Sequence, residues 1–241
     1  KLKNDQFNLY INKYALKIGY IVDDVNVKFT DYFDYQNELL KKLSGIDKNV
    51  LEKIEVEKLT NTKYKIDVDG NIFVKIYYDK NETFFNGEIY DIYLNGKKQT
   101  IKNCSIFYLQ SGIMEINNIR EDFKIKKVEF YRFNNEIFEK QINKLKENEI
   151  NIIKKQKNEL YFKIATDKKS KLLLTLPHEK GWKIYDNGKQ IKYKKVLDGL
   201  ILINLDSENH NIKMIYEPAY FKISILISII SLITIIMNVK K

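Results

Sequence analysis

The longest apolar run lies near the C-terminal end. From Ile223 to Met237 the chain reads ISILISIISLITIIM, fifteen residues without a charge and with only Ser and Thr as polar members. Ala219, Tyr220 and Phe221 before it, and Asn238 and Val239 after it, extend the stretch to 21 positions. At 1.5 Å per residue this matches the ~30 Å hydrocarbon core of a bilayer. Lys222 sits where its stem can snorkel, and Tyr220 and Phe221 are amphipathic or apolar rings suited to the interface. The rival reading is a buried core helix, but no polar face exists anywhere in the run. The pattern therefore predicts a transmembrane helix over 219–239, with Lys240-Lys241 as its stop.

Upstream, the hydrophobic period is mostly two. Tyr14–Val22 is a short apolar strand candidate. Phe33–Leu43 then carries apolar residues at 33, 39, 40 and 43, which share a helix face, with Asp31 as cap and Ser44-Gly45 as stop. Between 55 and 133, runs rich in β-branched and aromatic residues alternate with turn dipeptides. Asp69-Gly70 separates Tyr64–Val68 from Ile72–Tyr78, and Asn95-Gly96 separates Ile89–Leu94 from Gln99–Ile101. Such dipeptides fit type I′ hairpin turns, whose two central residues need φ > 0. Ser105–Leu109, Ile113–Ile116 and Lys126–Phe133 complete about seven strands, which predicts an antiparallel sandwich.

Asn134–Asn148 returns to the helical period, with Ile137, Phe138, Ile142 and Leu145 on one stripe. A second group of strands follows: Ile150–Lys154, Glu159–Ala165, Lys171–Leu176, Lys183–Tyr185, Gln190–Lys194, Leu200–Leu205 and Asn211–Tyr216. Asn187-Gly188 and Asp198-Gly199 are its expected hairpin turns. The fold class predicted is thus mainly β with a few helices. Two antiparallel β-sandwich-like units are joined by a short helix and followed by one C-terminal transmembrane helix. The expected boundaries are an N-terminal strand and helix segment at 1–54, a sandwich at 55–133, a connector helix at 134–149, a second β unit at 150–218 and the membrane helix at 219–239.

Composition narrows the partners. The 241 residues carry a net charge of +10, but among 42 basic residues only Arg120 and Arg132 are Arg. Base readers favour the bidentate fork of Arg, and the lysines here are scattered among acids, so no nucleic-acid partner is expected. One Cys (Cys104) and two His (His178 and His210) exclude an intrachain disulfide and a Cys-built zinc site. No metal and no cofactor are expected. Lys240 and Lys241 put the C-terminus in the cytoplasm and the large region outside, by the positive-inside rule. The opening KLKNDQFNLY has neither Met nor an apolar core. A translocated region then implies a preceding membrane segment, so the chain reads as the tail of a longer multi-pass protein.

Catalytic constellations are scarce. Asp67-Val68-Asp69-Gly70-Asn71 opens like a calcium loop but lacks the later ligands and the closing Glu. Asp23-Asp24 alternate faces in an extended strand and so cannot act on one bond together. No Walker A or G-x-G-x-x-G pattern occurs, and no catalytic residue is assigned. The 17 Tyr, 13 Phe and single Trp fill cores or stack on sugars. Trp182 stands out in Leu176-Pro177-His178-Glu179-Lys180-Gly181-Trp182, where Pro and Gly fix a loop. The candidate substrate-binding residues are Trp182, His178, Glu179, Asp186 and Tyr185, and the competing role for Trp182 is a plug at the end of a sandwich.

Pro177, Gly181, Trp182, Gly188, Lys189, Tyr216 and Pro218, together with the segments at 12–24 and 33–45, resemble the YfhO family of bacterial membrane proteins. That family's C-terminal pattern is a strand into Pro-Tyr-Asp-x-Gly-Trp, an Asp-Gly-Lys hairpin, a strand ending in Tyr-x-Pro and a last membrane helix. Pro177, Gly181, Trp182, Gly188, Lys189, Tyr216 and Pro218 stand at those positions. NKYALKIGYIVDD (12–24) and FDYQNELLKKLSG (33–45) resemble its N-terminal segments. The departures are His178 for Tyr, Tyr32 for Pro and Ser224 for Gly. The resemblance implies a large multi-pass protein similar to type C glycosyltransferases, which take sugar from a polyprenyl-phosphate carrier at the outer membrane face. It also implies decoration of teichoic acid or another cell-surface polymer, with the catalytic acid in an early external loop. No segment here matches that loop. The expected partners are therefore the polyprenyl-phosphate sugar or polymer, the membrane, and an N-terminal multi-pass region of the same protein, with this chain shaping a groove above the bilayer. The lysine excess favours anionic polymers and headgroups, by roughly 1 kcal/mol per Lys close to a surface. The rival readings are a single-pass, non-catalytic surface module that binds glycans or protein, and a soluble intracellular enzyme whose last segment is a core helix.

Overall fold

A computed structural model describes residues 2–4, 7–68, 70–78, 90–99, 106–118, 124–156 and 158–239. Asp69, Cys104, Arg120 and Lys240-Lys241 lie outside the described residues, as do the strand residues expected at Ile89, Ile101 and Ser105. Among the described residues the chain is mostly β, with four antiparallel sheets of four or five strands, a short N-terminal hairpin and three helices. It divides into two compact units, one formed by Phe29–Leu40 and Asp47–Glu139, the other by Lys1–Lys28, Lys41–Ile46 and Lys140–Lys241. The division falls inside helices α1 (Tyr32–Ser44) and α2 (Asn135–Lys146).

The first unit is a sandwich. Its four-stranded sheet runs Ile106–Leu109, Ile72–Tyr78, Ile125–Phe133, Leu51–Ile54. Its five-stranded sheet runs Glu57–Lys58, Lys63–Ile66, Gly112–Asn118, Tyr90–Leu94, Lys97–Gln99. Ile72, Val74 and Ile76 alternate inward to meet Ile66, Ile92, Met114 and Ile116 from the other sheet, as the period of two requires. The outward Phe73 packs with Tyr131 and Phe33, so the start of α1 covers that face. Asp31 caps α1 as expected, its Oδ1 accepting from the Phe33 amide at 3.0 Å, and Asn134 caps α2 through the Ile137 amide at 3.1 Å.

The Asn95-Gly96 hairpin forms with both residues at positive φ (49° and 78°). The expected hairpin around Asp69-Gly70 does not. Lys63–Ile66 and Ile72–Tyr78 belong to different sheets, so the intervening residues cross the sandwich. The reason is burial: Ile66 and Ile72 face one another across the core instead of lying side by side on one sheet.

In the second unit, one sheet runs Asn151–Gln156, Glu159–Ala165, Asn209–Tyr216, Trp182–Asp186, Lys189–Ile191. The other runs Lys194–Val196, Leu200–Leu205, Ser170–Pro177, Gly19–Val22. Phe162, Leu172, Leu174, Ile184, Ile201, Ile203, Ile212 and Met214 fill the space between them. The N-terminal strand Gly19–Val22 is thus not in a separate segment but pairs with Lys171–Leu174. Gly19 makes this possible, because a Cβ there would lie 2.6 Å from Leu174 and 2.8 Å from Ile150. Asn187-Gly188 turns as expected (φ 46° and 82°). At the other expected turn, Leu197 and Asp198 take the positive φ (46° and 59°) and Gly199 does not. Val196 pairs with Leu200, so the loop holds three residues and starts one position earlier than Asp198-Gly199.

Candidate functional site

Trp182 opens the strand Trp182–Asp186, after the loop that Pro177 and Gly181 shape. Gly181 has no space for a side chain, since a Cβ would stand 2.4 Å from the Glu217 carbonyl oxygen. The Glu217 amide donates to the Gly181 carbonyl at 2.9 Å. This close approach seats Trp182 against Tyr216, with ring centroids 4.9 Å apart. The indole Nε1 donates to the Pro177 carbonyl at 3.1 Å, and Tyr193 Oη donates to the carbonyls of Glu179 and Trp182, each at 3.1 Å. Trp182 is half-buried and packs on the core, so it has the plug's contacts while one side of it stays open.

That open side lines a groove of about 530 Å³ together with Tyr216, Glu179, Lys155, Asn158 and Glu159. Its floor is aliphatic, from Leu160, Leu176 and Ile152. An apolar hollow with a few polar groups on its rim is the form of an organic-ligand site. His178 packs its ring on Tyr193 at 5.3 Å and is absent from the lining. Tyr185 projects from the outer face of the sheet into a separate, shallow hollow of about 700 Å³ with Tyr161, Lys154 and Lys213.

Asp186 is four residues from Trp182 along the strand, about 13 Å at strand rise, and meets His210 instead. His210 is buried, with Nδ1 2.6 Å from Asp186 Oδ2 and Nε2 3.0 Å from the Asp206 carbonyl. Burial opposes a charge on the ring, but the hydrogen bonds to the Asp206 carbonyl and then the Asp186 carboxylate outweigh it and raise the pKa. Asp186, Glu208 and His210 bring candidate ligand atoms within 4.8 Å of one another. Both ring nitrogens, however, already face acceptors, an arrangement that an imidazolium satisfies and that offers a metal no lone pair. The structure therefore brings Trp182 and Glu179 together at one groove, keeps His178 beside it, and sends Tyr185 and Asp186 elsewhere. Lys155 and Tyr216 join the site from the strands Asn151–Gln156 and Asn209–Tyr216, and Asn158 from a turn.

In the other sandwich, Glu129 is only 6% exposed and collects four donors. Lys53 and Lys127 reach Oε1 at 2.7 and 2.5 Å, and Tyr77 and Tyr131 donate to Oε2 at 2.6 and 3.0 Å. Burial works against the carboxylate, yet these hydrogen bonds hold its pKa well below the ordinary range. Lys75, paired with Asp31, lies 4.5 Å over the Tyr77 ring. The cluster sits on adjacent strands at matched register, Glu129 opposite Lys75 and Lys127 opposite Tyr77. It binds the sheet together and opens onto no described cavity.

Helix α3 (Phe221–Val239) follows Tyr216 after four residues. It is long and apolar enough to cross a membrane, and none of its spanning window is buried against the chain. Ser228 and Thr234 return their hydroxyls to the carbonyls of Ser224 and Ile230, each at 2.9 Å, so these polar groups are satisfied without water. Glu217 ties the helix entrance to the sheet, accepting from Lys183 at 2.7 Å and Lys222 at 3.2 Å.

The model of a family described as "Bacterial membrane protein YfhO" matches residues 1–228. A curated relative, "Uncharacterized protein YfhO" from Bacillus subtilis (strain 168), is 26% identical over 144 residues. The matched stretch is 60% of this chain and 17% of that relative's length. No solved structure matches.

Proposed function

The chain belongs to the YfhO family of bacterial membrane proteins, and from that membership we propose that it is the extracytoplasmic C-terminal region of a multi-pass glycosyltransferase. The enzyme takes sugar from a polyprenyl-phosphate carrier and transfers it to teichoic acid or another cell-surface polymer. This region positions substrate, and the chemistry belongs to another part of the protein. Its C-terminus is cytoplasmic.

The supporting observation is the nearness of groove and membrane helix. Tyr216 lines the groove and α3 starts at Phe221, so the groove stands close above the bilayer, where a lipid-linked sugar presents its head. Trp182 and Tyr216 offer ring faces to the C–H face of a sugar, and Lys155, Glu159 and Glu179 offer rim groups to its hydroxyls and phosphate.

The test uses membranes holding the full-length protein, a radiolabelled polyprenyl-phosphate sugar and an acceptor polymer. Trp182→Phe and Glu179→Ala are expected to cut transfer about tenfold, a loss of ~1.4 kcal/mol in the transition state, with the fold intact. Full-rate transfer by both variants rejects the groove. No transfer by the wild type, with retained glycan binding, favours a non-catalytic surface module.

A further inference from the structure

We propose that the edge strand Asn151–Gln156 is a membrane-docking ridge, on which Ile152 and Ile153 enter the interfacial layer of an anionic bilayer while Lys154 and Lys155 meet its headgroups. The inference rests on α3 spanning a membrane. Ile152 and Lys155 also line the Trp182–Tyr216 groove whereas Ile153 and Lys154 do not, so the test is read first at Ile153.

All six residues of this strand are exposed, including Ile152 at 42% and Ile153 at 60%. Adjacent exposed isoleucines followed by two lysines are an unusual choice for water alone and a natural one for an interface. The strand borders both hollows of its sheet. Ile152 and Lys155 line the Trp182–Tyr216 groove, and Ile153 and Lys154 line the hollow of Tyr161 and Tyr185. In the second hollow the register sets Lys154, Tyr161, Lys213 and Tyr185 in one row across four strands. Amphipathic rings and snorkelling lysines around an aliphatic centre are the composition of a membrane interface.

Continuity with α3 selects lipid as the occupant. The Tyr216 amide donates to the Asn158 carbonyl at 2.8 Å, just beyond the end of the ridge. The C-terminal end of the ridge therefore lies beside the strand that leads into the helix. Lys155 and Lys154 are one and two positions from Gln156, about 3 and 7 Å of strand, within one Debye length of the surface at about 0.1 M salt. A strand lying along that surface brings Ile153, about 10 Å from Gln156, into the same layer. The competing occupant of an exposed edge is another β-strand. A register shift between Ile152 and Lys154, together with the paired lysines, opposes strand addition.

To test this, Ile153→Cys is made in a Cys104→Ser background and labelled with an environment-sensitive fluorophore. The chain is then reconstituted through α3 into phosphatidylcholine vesicles with or without phosphatidylglycerol. In the anionic vesicles, emission is expected to shift to the blue, and nitroxide-bearing lipid to quench it several-fold more than a label at the exposed Lys192. Lys154→Glu with Lys155→Glu, or high salt, is expected to reverse both effects. Ile152→Cys serves as the second label position, and Trp182 fluorescence reports the fold of each variant. A label that stays water-exposed and unquenched in anionic vesicles overturns the proposal. A blue shift without lipid quenching overturns it too, and assigns the ridge to a protein strand.

Discussion

Replacing Glu129 with Ala would leave Tyr77 and Tyr131 with buried hydroxyls facing a void and would separate Lys53 and Lys127 from their shared partner. The lysines are half exposed and can turn to water, so the cost falls mainly on the tyrosines and the cavity, about 2–4 kcal/mol. Hydrogen exchange of the Ile72–Tyr78 amides measures it. The folded pKa of Glu129 is depressed, so its stabilisation is present above the ordinary carboxylate pKa and is lost as pH falls towards the folded value. The deficit of Glu129→Ala should therefore shrink on acidification. His210 gives the opposite sign. Its folded pKa is raised, so its contribution is complete below about pH 6.5, the unfolded value, and is lost as pH rises through the folded one. Trp182 is the chain's single Trp and lies in the same unit. Its fluorescence should show a thermal midpoint that falls with rising pH across that window, and His210→Gln should flatten the fall.

At the scale of elements, the tight turns are where one side chain decides the most. Leu197 holds φ 46° between Val196 and Asp198, a conformation that costs a branched residue about 1 kcal/mol and Asn much less. Leu197→Asn should therefore raise the urea midpoint of its unit by about 1 kcal/mol equivalent, read from Trp182 fluorescence. Gly181→Ala should do the reverse and more strongly, because the added methyl meets the backbone oxygen of Glu217 rather than a movable side chain. Signals of this local kind were open to a reader of the sequence. The Asp31 cap, the Gly45 stop (φ 72°) and the Asn95-Gly96 and Asn187-Gly188 turns all follow from a few adjacent residues. The pairing of Gly19–Val22 with a strand about 150 residues away left no local trace, and neither did the crossing between sheets around Gly70. The grouping of Tyr185 with Trp182 had a visible flaw, because successive strand residues point to opposite faces. That of Asp186 had another, because four residues of strand separate it from Trp182 by about 13 Å. Trp182, Ile184 and Asp186 share the inward side, while Tyr185 must look outward. Lys155, Asn158 and Tyr216 were illegible because only the fold brings them to the groove.

For the whole molecule, one helix fixes where the two sandwiches act. The apolar surface of α3 is exposed along its length, and at roughly 25 cal/mol per Å² that much hydrocarbon in water strongly favours insertion into lipid. Two measurements separate insertion from peripheral contact. Alkaline carbonate should leave the chain in the membrane pellet and should release a variant lacking residues 219–241. An Ile229→Arg change at the middle of α3 should weaken insertion by about 2.5–3.5 kcal/mol on translocon scales. Sidedness is a further matter, because long domains translocate largely regardless of their own charge and only lysines close to the span carry weight. Lys240 and Lys241 follow the helix and Lys222 lies in its first turn. Glu217 binds Lys222 at 3.2 Å and offsets its charge, which leaves the C-terminal pair as the dominant positive anchor, and the proposed orientation puts that pair in the cytoplasm. Protease added to intact protoplasts should then digest both sandwiches and spare α3. Removing the Lys222 counter-ion with Glu217→Gln should shift a fraction of chains towards protection, the effect expected if the balance of flanking lysines sets the orientation. Sandwiches that resist protease until the cells are lysed would place them inside and would remove the groove from the outer face that the proposed lipid-linked sugar requires.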